Sequence, residues 1–337
     1  MRVLVTGAAG FIGSNVVKAL LGRFECVSVV GVDNMDAYYD LSLKEERLGE
    51  LLEHESFTFY RGDISDKVFL NDVFDGFRPD YVLNFAAKVG VRHSVQHPED
   101  YITTNINGFF NVLEACREHK VKHLVYASSS SVYGANADVP YSTEDRTDSP
   151  MSLYAATKKS NELMAYAYGN LYGLPSTGLR FFTVYGPAGR PDMAYFGFTE
   201  KMTRGERIQV FNNGCCRRDF TYVDDIVEGV VRVMMAPPAA EPVPCAVYNI
   251  GNSQPVDIPE FLRVLQEELI EAGVLPRGFK ADVEMLPMQP GDVPETCADV
   301  SALEEKFGFR PSTPLREGLR TFARWYACRR CGKLIEN

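Results

Sequence analysis

Arg2-Val3-Leu4-Val5-Thr6-Gly7-Ala8-Ala9-Gly10-Phe11-Ile12-Gly13 stands at the start of the sequence and joins two patterns. The apolar, β-branched run Arg2–Thr6 predicts a buried strand, and an amphipathic helical pattern starts at Phe11. Between them stand three glycines at a spacing of three. In a strand–turn–helix unit Gly7 permits the tight turn, Gly10 lets the backbone approach a pyrophosphate, and Gly13 allows close contact of helix and strand. The helix N-terminus then attracts the anion. A glycine triplet by itself is weak evidence, but its context here includes Asp33, about 20 residues past Gly13, at the end of a predicted strand Val29–Val32. A carboxylate there bonds both ribose hydroxyls and repels a 2′-phosphate, so the expected cofactor is NAD rather than NADP. Asp63 and Ile64, after the run Phe57–Arg61, fall where an adenine contact is expected.

Outward from this unit, short apolar runs alternate with helical patterns. Strands are predicted at Cys26–Val32, Phe57–Arg61, Tyr81–Phe85, His123–Ala127 and Leu179–Phe182. Helices are predicted at Leu43–Glu53, Val68–Phe74, Ile102–His119 and Tyr154–Tyr172. Such alternation predicts an α/β fold, a Rossmann-type doubly wound parallel sheet with a smaller C-terminal α/β substrate lobe. Residues 1–180 are expected to form the NAD-binding part, with later segments returning to it, and 181–337 mainly the substrate lobe. Pro and Gly punctuate Gly186–Pro191, Pro237–Pro244 and Pro287–Pro294, where the chain is expected to cross between lobes. The 45 acidic residues outnumber 35 Lys plus Arg, for a net charge of −10, which argues against a nucleic-acid partner. The eight cysteines are scattered and read as reduced thiols. No apolar stretch approaches the roughly 18 residues of a membrane span, and no signal sequence precedes the first strand, so a cytoplasmic protein is expected.

At the reacting end, Tyr154 and Lys158 lie four apart on one helical face. An ammonium about 5 Å from a phenol, at an effective dielectric of about 20, favours the phenolate by roughly 3 kcal/mol, which makes a tyrosine a usable base. A lone Tyr-x-x-x-Lys is more often a half-buried Tyr beside a surface Lys. The run Ser128-Ser129-Ser130-Ser131 changes the balance: it follows an apolar strand, where hydroxyls face the crevice at the carboxyl end of a parallel sheet and can share the reacting proton.

Gly7-x-x-Gly10-x-x-Gly13, Ser129 and Tyr154-x-x-x-Lys158 together resemble the extended short-chain dehydrogenase/reductases, and the similarity runs over nearly the whole chain. Within that group the resemblance is to UDP-glucuronate 4-epimerases. It is carried by Asp33-Asn34-Met35, Phe85-Ala86-Ala87-Lys88, Ser128–Gly134, Arg180–Pro187, Gly189–Ala194, Arg218–Asp225 and Pro287–Val293. The resemblance implies that Tyr154 removes the 4-hydroxyl proton while the C4 hydride passes to a resident NAD; the 4-keto sugar turns over and receives the hydride on its other face. It implies cofactor contacts from Gly7, Gly10, Phe11, Ile12, Gly13, Asp33, Asn34, Asp63, Ile64, Phe85, Ala86, Ala87, Lys88, Asn105, Ser128, Tyr154, Lys158 and Phe181. It implies substrate contacts from Arg92, Ser129, Ser130, Ser131, Tyr154, Thr183, Arg190, Val210, Phe211, Arg218 and Asp292, with Ser129, Tyr154 and Lys158 catalytic. Arg190 is nominated for the hexuronate carboxylate, because a guanidinium holds a carboxylate at two points.

Related 4,6-dehydratases carry Asp and Glu where this chain has Ser130 and Ser131, and related decarboxylases carry a Glu at the second position. Epimerisation, which needs neither, is therefore expected. Thr183 replaces the Asn of UDP-galactose-type epimerases, and Gln289 replaces a second diphosphate Arg. UDP-glucuronate decarboxylase, UDP-glucose 4-epimerase and a non-catalytic NAD-sensing protein are the alternatives. The resemblance also implies a homodimer formed through Ile102–His119 and Tyr154–Tyr172. No metal site is expected: His93/His97 and His119/His123 lack a third ligand, and Cys328-x-x-Cys331 lacks a partner pair.

Overall fold

In the computed structural model, which describes residues 1–288 and 293–330, side chains along the first strand alternate between two buried layers. Val3 and Val5 of β1 (Arg2–Thr6) join one apolar cluster and Leu4 the other. The same alternation separates Val82 from Leu83 in β4 (Tyr81–Asn84) and Val125 from Leu124 and Tyr126 in β5 (His123–Ser129). A sheet apolar on both faces must be covered on both. Helices α1 (Phe11–Arg23) and α2 (Ser42–Leu52) contribute to one cluster; α3 (Lys67–Phe77) and α6 (Phe109–Glu118) contribute to the other.

Between β4 and α6 lie two short helices, α4 (Val91–Gln96) and α5 (Pro98–Tyr101), and a π-helical turn, Ile102–Gly108. With β2 (Ser28–Asp33), β3 (Phe57–Arg61), β6 (Ser176–Phe181) and β10 (Cys245–Ile250), the large sheet has the order β10-β6-β5-β4-β1-β2-β3, parallel throughout. This is the doubly wound α/β arrangement, whose strand order reverses between β1 and β4.

Helix α7 (Leu153–Tyr172) packs beside β5 and β6. After β6 the chain builds a smaller lobe. Its three-stranded sheet holds β7 (Thr183–Tyr185), β9 (Arg217–Tyr222) and β11 (Pro255–Asp257), and its two-stranded sheet pairs β8 (Ile208–Val210) with β12 (Val283–Met285). Around them pack α8 (Ala194–Arg204), α10 (Ile258–Glu271) and α12 (Leu315–Arg330), while α11 (Ser301–Phe307) contacts β10. Helix α9 (Val223–Met235) returns to pack on α1, and β10 then joins the large sheet.

Several boundaries differ from the sequence expectation, the sixth strand among them, which starts at Ser176 rather than Leu179. The second strand starts at Ser28 rather than Cys26, because its pairing with β1 begins at Arg2↔Ser28, and it includes Asp33. The fifth strand runs on to Ser129, because the ladder with β6 extends to Ser129↔Phe181. The predicted helix Ile102–His119 is interrupted by the π turn at its start. No described helix is long and apolar enough to cross a membrane.

Candidate active site

One cleft crosses the carboxyl ends of β1, β2, β4, β5 and β6, where ligands bind in open parallel sheets. Its floor is the glycine-rich turn. Gly7 has φ +70°, and a Cβ there would meet Ala86 N at 2.7 Å; a Cβ on Gly13 would run into the Gly7 carbonyl oxygen. That same oxygen accepts the Gly10 N–H at 2.9 Å. The turn thus leaves bare backbone at the start of α1, a cradle suited to a pyrophosphate. The facing segment Phe85–Ala87 is set by Thr6, whose hydroxyl donates to Asn84 Oδ1 at 2.6 Å and accepts from Ala86 N at 3.2 Å.

Asp33 is buried. Its carboxylate accepts from Ala9 N at 3.2 Å, Met35 N at 2.9 Å and Lys44 Nζ at 3.0 Å. Lys44 was not singled out from the sequence; its signal is a lysine placed on the buried face of α2 between Leu43 and Leu51. Asp63 accepts from the Asn34 amide at 2.7 Å and from Ser65 N at 2.8 Å. Burial pushes this carboxyl up, but those donors hold it below its ordinary range. Every residue assigned to the cofactor lines the cleft except Asn105. Asn105 stands behind it in the π turn: its amide brackets the backbone of Lys88, accepting from N at 2.8 Å and donating to O at 3.0 Å. Lys88 itself pairs with Asp36 at 2.7 Å.

At the reacting end, Ser129, Tyr154, Lys158 and Arg190 share the cleft. The Ser129 hydroxyl acts on the Tyr154 phenol, favouring its anion, and accepts from Ser131 N at 3.2 Å. Lys158 is buried and donates to the Ala127 carbonyl at 2.9 Å; burial pushes its amine down to about 8. The Tyr154/Lys158 spacing predicts that the ammonium brings the phenol down. In the structure burial raises that phenol above its ordinary value, and the opposing influences are the Ser129 hydroxyl and the positive charge of Arg190. The raised direction corrects the expectation: desolvation of the phenolate outweighs the Arg190 charge and the Ser129 hydroxyl. Arg190 pairs with Asp192, Nε donating at 3.0 Å and Nη2 at 2.5 Å, and Tyr38 Oη donates to the same carboxylate at 3.2 Å.

The remaining substrate assignments are spread more widely. Ser130 and Ser131 form a short 3-10 turn after β5, and Thr183 begins β7 opposite Phe220; none of the three lines the cleft. Arg92 lies over the Phe211 ring at 5.3 Å, next to buried Val210, away from the cleft wall. Arg218 Nη1 donates to the carbonyls of Arg217 at 2.9 Å and Pro294 at 3.2 Å. Asp292 and Gln289 lie outside the described residues. His93 and His97 stack with ring centroids 4.5 Å apart, and His93 Nδ1 lies 3.3 Å from Tyr101 Oη.

Residues 3–251 match the family described as the NAD dependent epimerase/dehydratase family. The chain belongs to that family. Two members to which it is similar are a probable UDP-glucuronate 4-epimerase of Rhizobium meliloti and UDP-glucuronate 4-epimerase 4 of Arabidopsis thaliana. The first is 43% identical, with 97% of each chain covered. The second is 44% identical, covering 97% of this chain and 75% of the other. Among solved structures, the UDP-glucuronic acid 4-epimerase from Bacillus cereus in complex with UDP-glucuronic acid and NAD superimposes with a TM-score of 0.87 at 32% identity, over 96% of this chain and 98% of that one. The glycine cradle and buried Asp33 are consistent with the cofactor for which this epimerase/dehydratase family is named.

Proposed function

We propose that this protein is an NAD-dependent 4-epimerase interconverting UDP-glucuronate and UDP-galacturonate. The observation that carries the reading is the meeting of Tyr154, Ser129 and the Arg190 guanidinium in the cleft that also holds the glycine turn and Asp33. Gly7, Gly10 and Gly13 would hold the pyrophosphate, Asp33 the adenosine ribose, and Asp63 and Ile64 the adenine. Bound NAD supplies the acceptor, and then the donor, of the hydride at C4. Tyr154 takes the proton of the 4-hydroxyl and returns it after the sugar has turned, with the Ser129 hydroxyl beside the phenol placed to share that proton. Arg190 lies beside the phenol, stabilises its anion and meets the carboxylate of the hexuronate.

The 4-keto intermediate is a β-keto acid, prone to lose carbon dioxide. Ser130 and Ser131 supply no carboxyl group to assist that loss, and Arg190, which lines the cleft, holds the carboxylate out of the geometry that cleavage needs. In this reading residues 1–180, with later returning segments, carry NAD and 181–337 mainly carry the UDP-sugar. The protein works as a homodimer in the cytoplasm, where its described cysteines, all free, are at home.

The test is incubation with UDP-glucuronate and no added NAD. A product of unchanged mass identified as UDP-galacturonate is expected. A product lighter by carbon dioxide means a decarboxylase. No turnover even with added NAD moves the protein to another sugar nucleotide or to a non-catalytic role.

A further inference from the structure

Arg47, on α2, is 4% exposed, and no carboxylate pairs with it among the described residues. Its N–H groups instead reach three backbone carbonyls and one phenol. Nε donates to Ala188 O at 2.8 Å; Nη2 donates to Ala188 O at 2.6 Å and Gly189 O at 3.0 Å; Nη1 donates to Ala9 O at 3.1 Å and Tyr39 Oη at 2.8 Å. The five N–H groups of a guanidinium are thereby all engaged. Ala9 lies inside the glycine-rich turn, and Ala188 and Gly189 immediately precede Arg190. Ala188 has φ +51°, the left-handed region that a residue with a side chain rarely adopts, so its turn needs outside support. One buried fork thus joins the cradle for the cofactor to the loop that carries Arg190, without touching either ligand's place directly.

We infer that Arg47 is a positioning residue: it sets the distance between the glycine-rich turn and Arg190, and through that distance the recognition of a carboxylate on the sugar. This rests on the function proposed above. The sugar's C4 must sit against a cofactor held by the turn, so a carboxylate anchor on a separate loop selects its substrate only if turn and loop keep a fixed separation. Lysine in place of Arg47 keeps the charge but offers one nitrogen, which cannot bridge carbonyls on two loops in the fork geometry.

The experiment uses the full chain and measures binding of UDP-glucuronate and of UDP-glucose by calorimetry for wild type, R47M, R47K, R190M and R47M/R190M. Thermal unfolding of each variant shows that it is folded. Wild type is expected to prefer UDP-glucuronate, and R47M to lose about tenfold of that preference. R47K should recover little of it. In the R190M background, R47M should change the preference no further. An R47M protein that binds both sugars more weakly by the same factor, or an R47K protein with the full wild-type preference, overturns the inference; R47K decides alone if R47M does not fold. A wild-type protein without preference for UDP-glucuronate overturns the functional reading first, and this inference with it.

Discussion

Tyr154 and Lys158 lie one helical turn apart, but their surroundings pull them in opposite directions. Burial raises the phenol and lowers the amine, in each case disfavouring the charged form. Tyr154→Phe should lower kcat about 10³-fold with little change in KM, and steady-state kinetics showing less than a tenfold loss would remove Tyr154 as the base. Lys158→Met should also lose activity while gaining stability. Below about pH 8 the lysine carries its proton in both the folded and the unfolded chain, and the folded state bears the whole cost of burying it. The difference between about 8 and the ordinary 10.5 corresponds to roughly 3 kcal/mol. Between those values the unfolded chain binds more protons, so wild-type stability rises with pH and the variant's advantage shrinks to nothing above them. Denaturant titrations at pH 7 and pH 10.5 check the sign: an equal advantage at both would contradict it. Arg190→Ala should weaken UDP-glucuronate binding and release carbon dioxide from a fraction of turnovers, read as a lighter nucleotide sugar. Unchanged turnover with no carbon dioxide would show that Arg190 does not guard the carboxylate.

At the scale of elements, α7 carries a third functional turn beyond Tyr154 and Lys158. Glu162 holds Arg180 of β6 through two contacts, at 2.8 and 2.9 Å, and accepts from the Ser128 hydroxyl at 2.6 Å. Arg180 continues to Tyr133 Oη at 3.0 Å, and Tyr133 donates to Asn249 of β10 at 2.6 Å. Ser128, read from the sequence as a cofactor contact, therefore spends its hydroxyl on this buried network while its residue still lines the cleft. The network ties β5, β6, β10 and α7 together, and through Ser128 it reaches the residue next to Ser129. Glu162→Ala strands a buried guanidinium and should cost about 3–5 kcal/mol, seen as a lower denaturant midpoint at unchanged slope. A loss under 1 kcal/mol would mean that water or Tyr133 satisfies Arg180 without the carboxylate.

At the scale of the whole molecule, α6 and α7 pack against each other and leave Phe110, Leu163, Tyr166 and Leu171 exposed. Such a patch is costly in a free monomer and fits a partner helix pair. Sedimentation should give twice the chain mass for wild type and about the chain mass for Leu163→Glu/Tyr166→Glu, which retains the cleft; a wild-type monomer would remove the dimer.

How much of this was legible beforehand follows from the range of the forces involved. The glycine spacing, Asp33 and the alternation of strands and helices are local patterns, since turn geometry and side-chain period act within a few residues, so together they sufficed to read the parallel sheet and the cofactor end. The Tyr154/Lys158 spacing was legible for the same reason. What tertiary structure decided were contacts between residues far apart in sequence: Lys44 on Asp33, Arg47 joining Ala9 to Ala188, Glu162 on Arg180, and β10 joining the large sheet. It also decided the direction of the Tyr154 phenol, because desolvation depends on everything packed around a group, and no spacing along the chain records that.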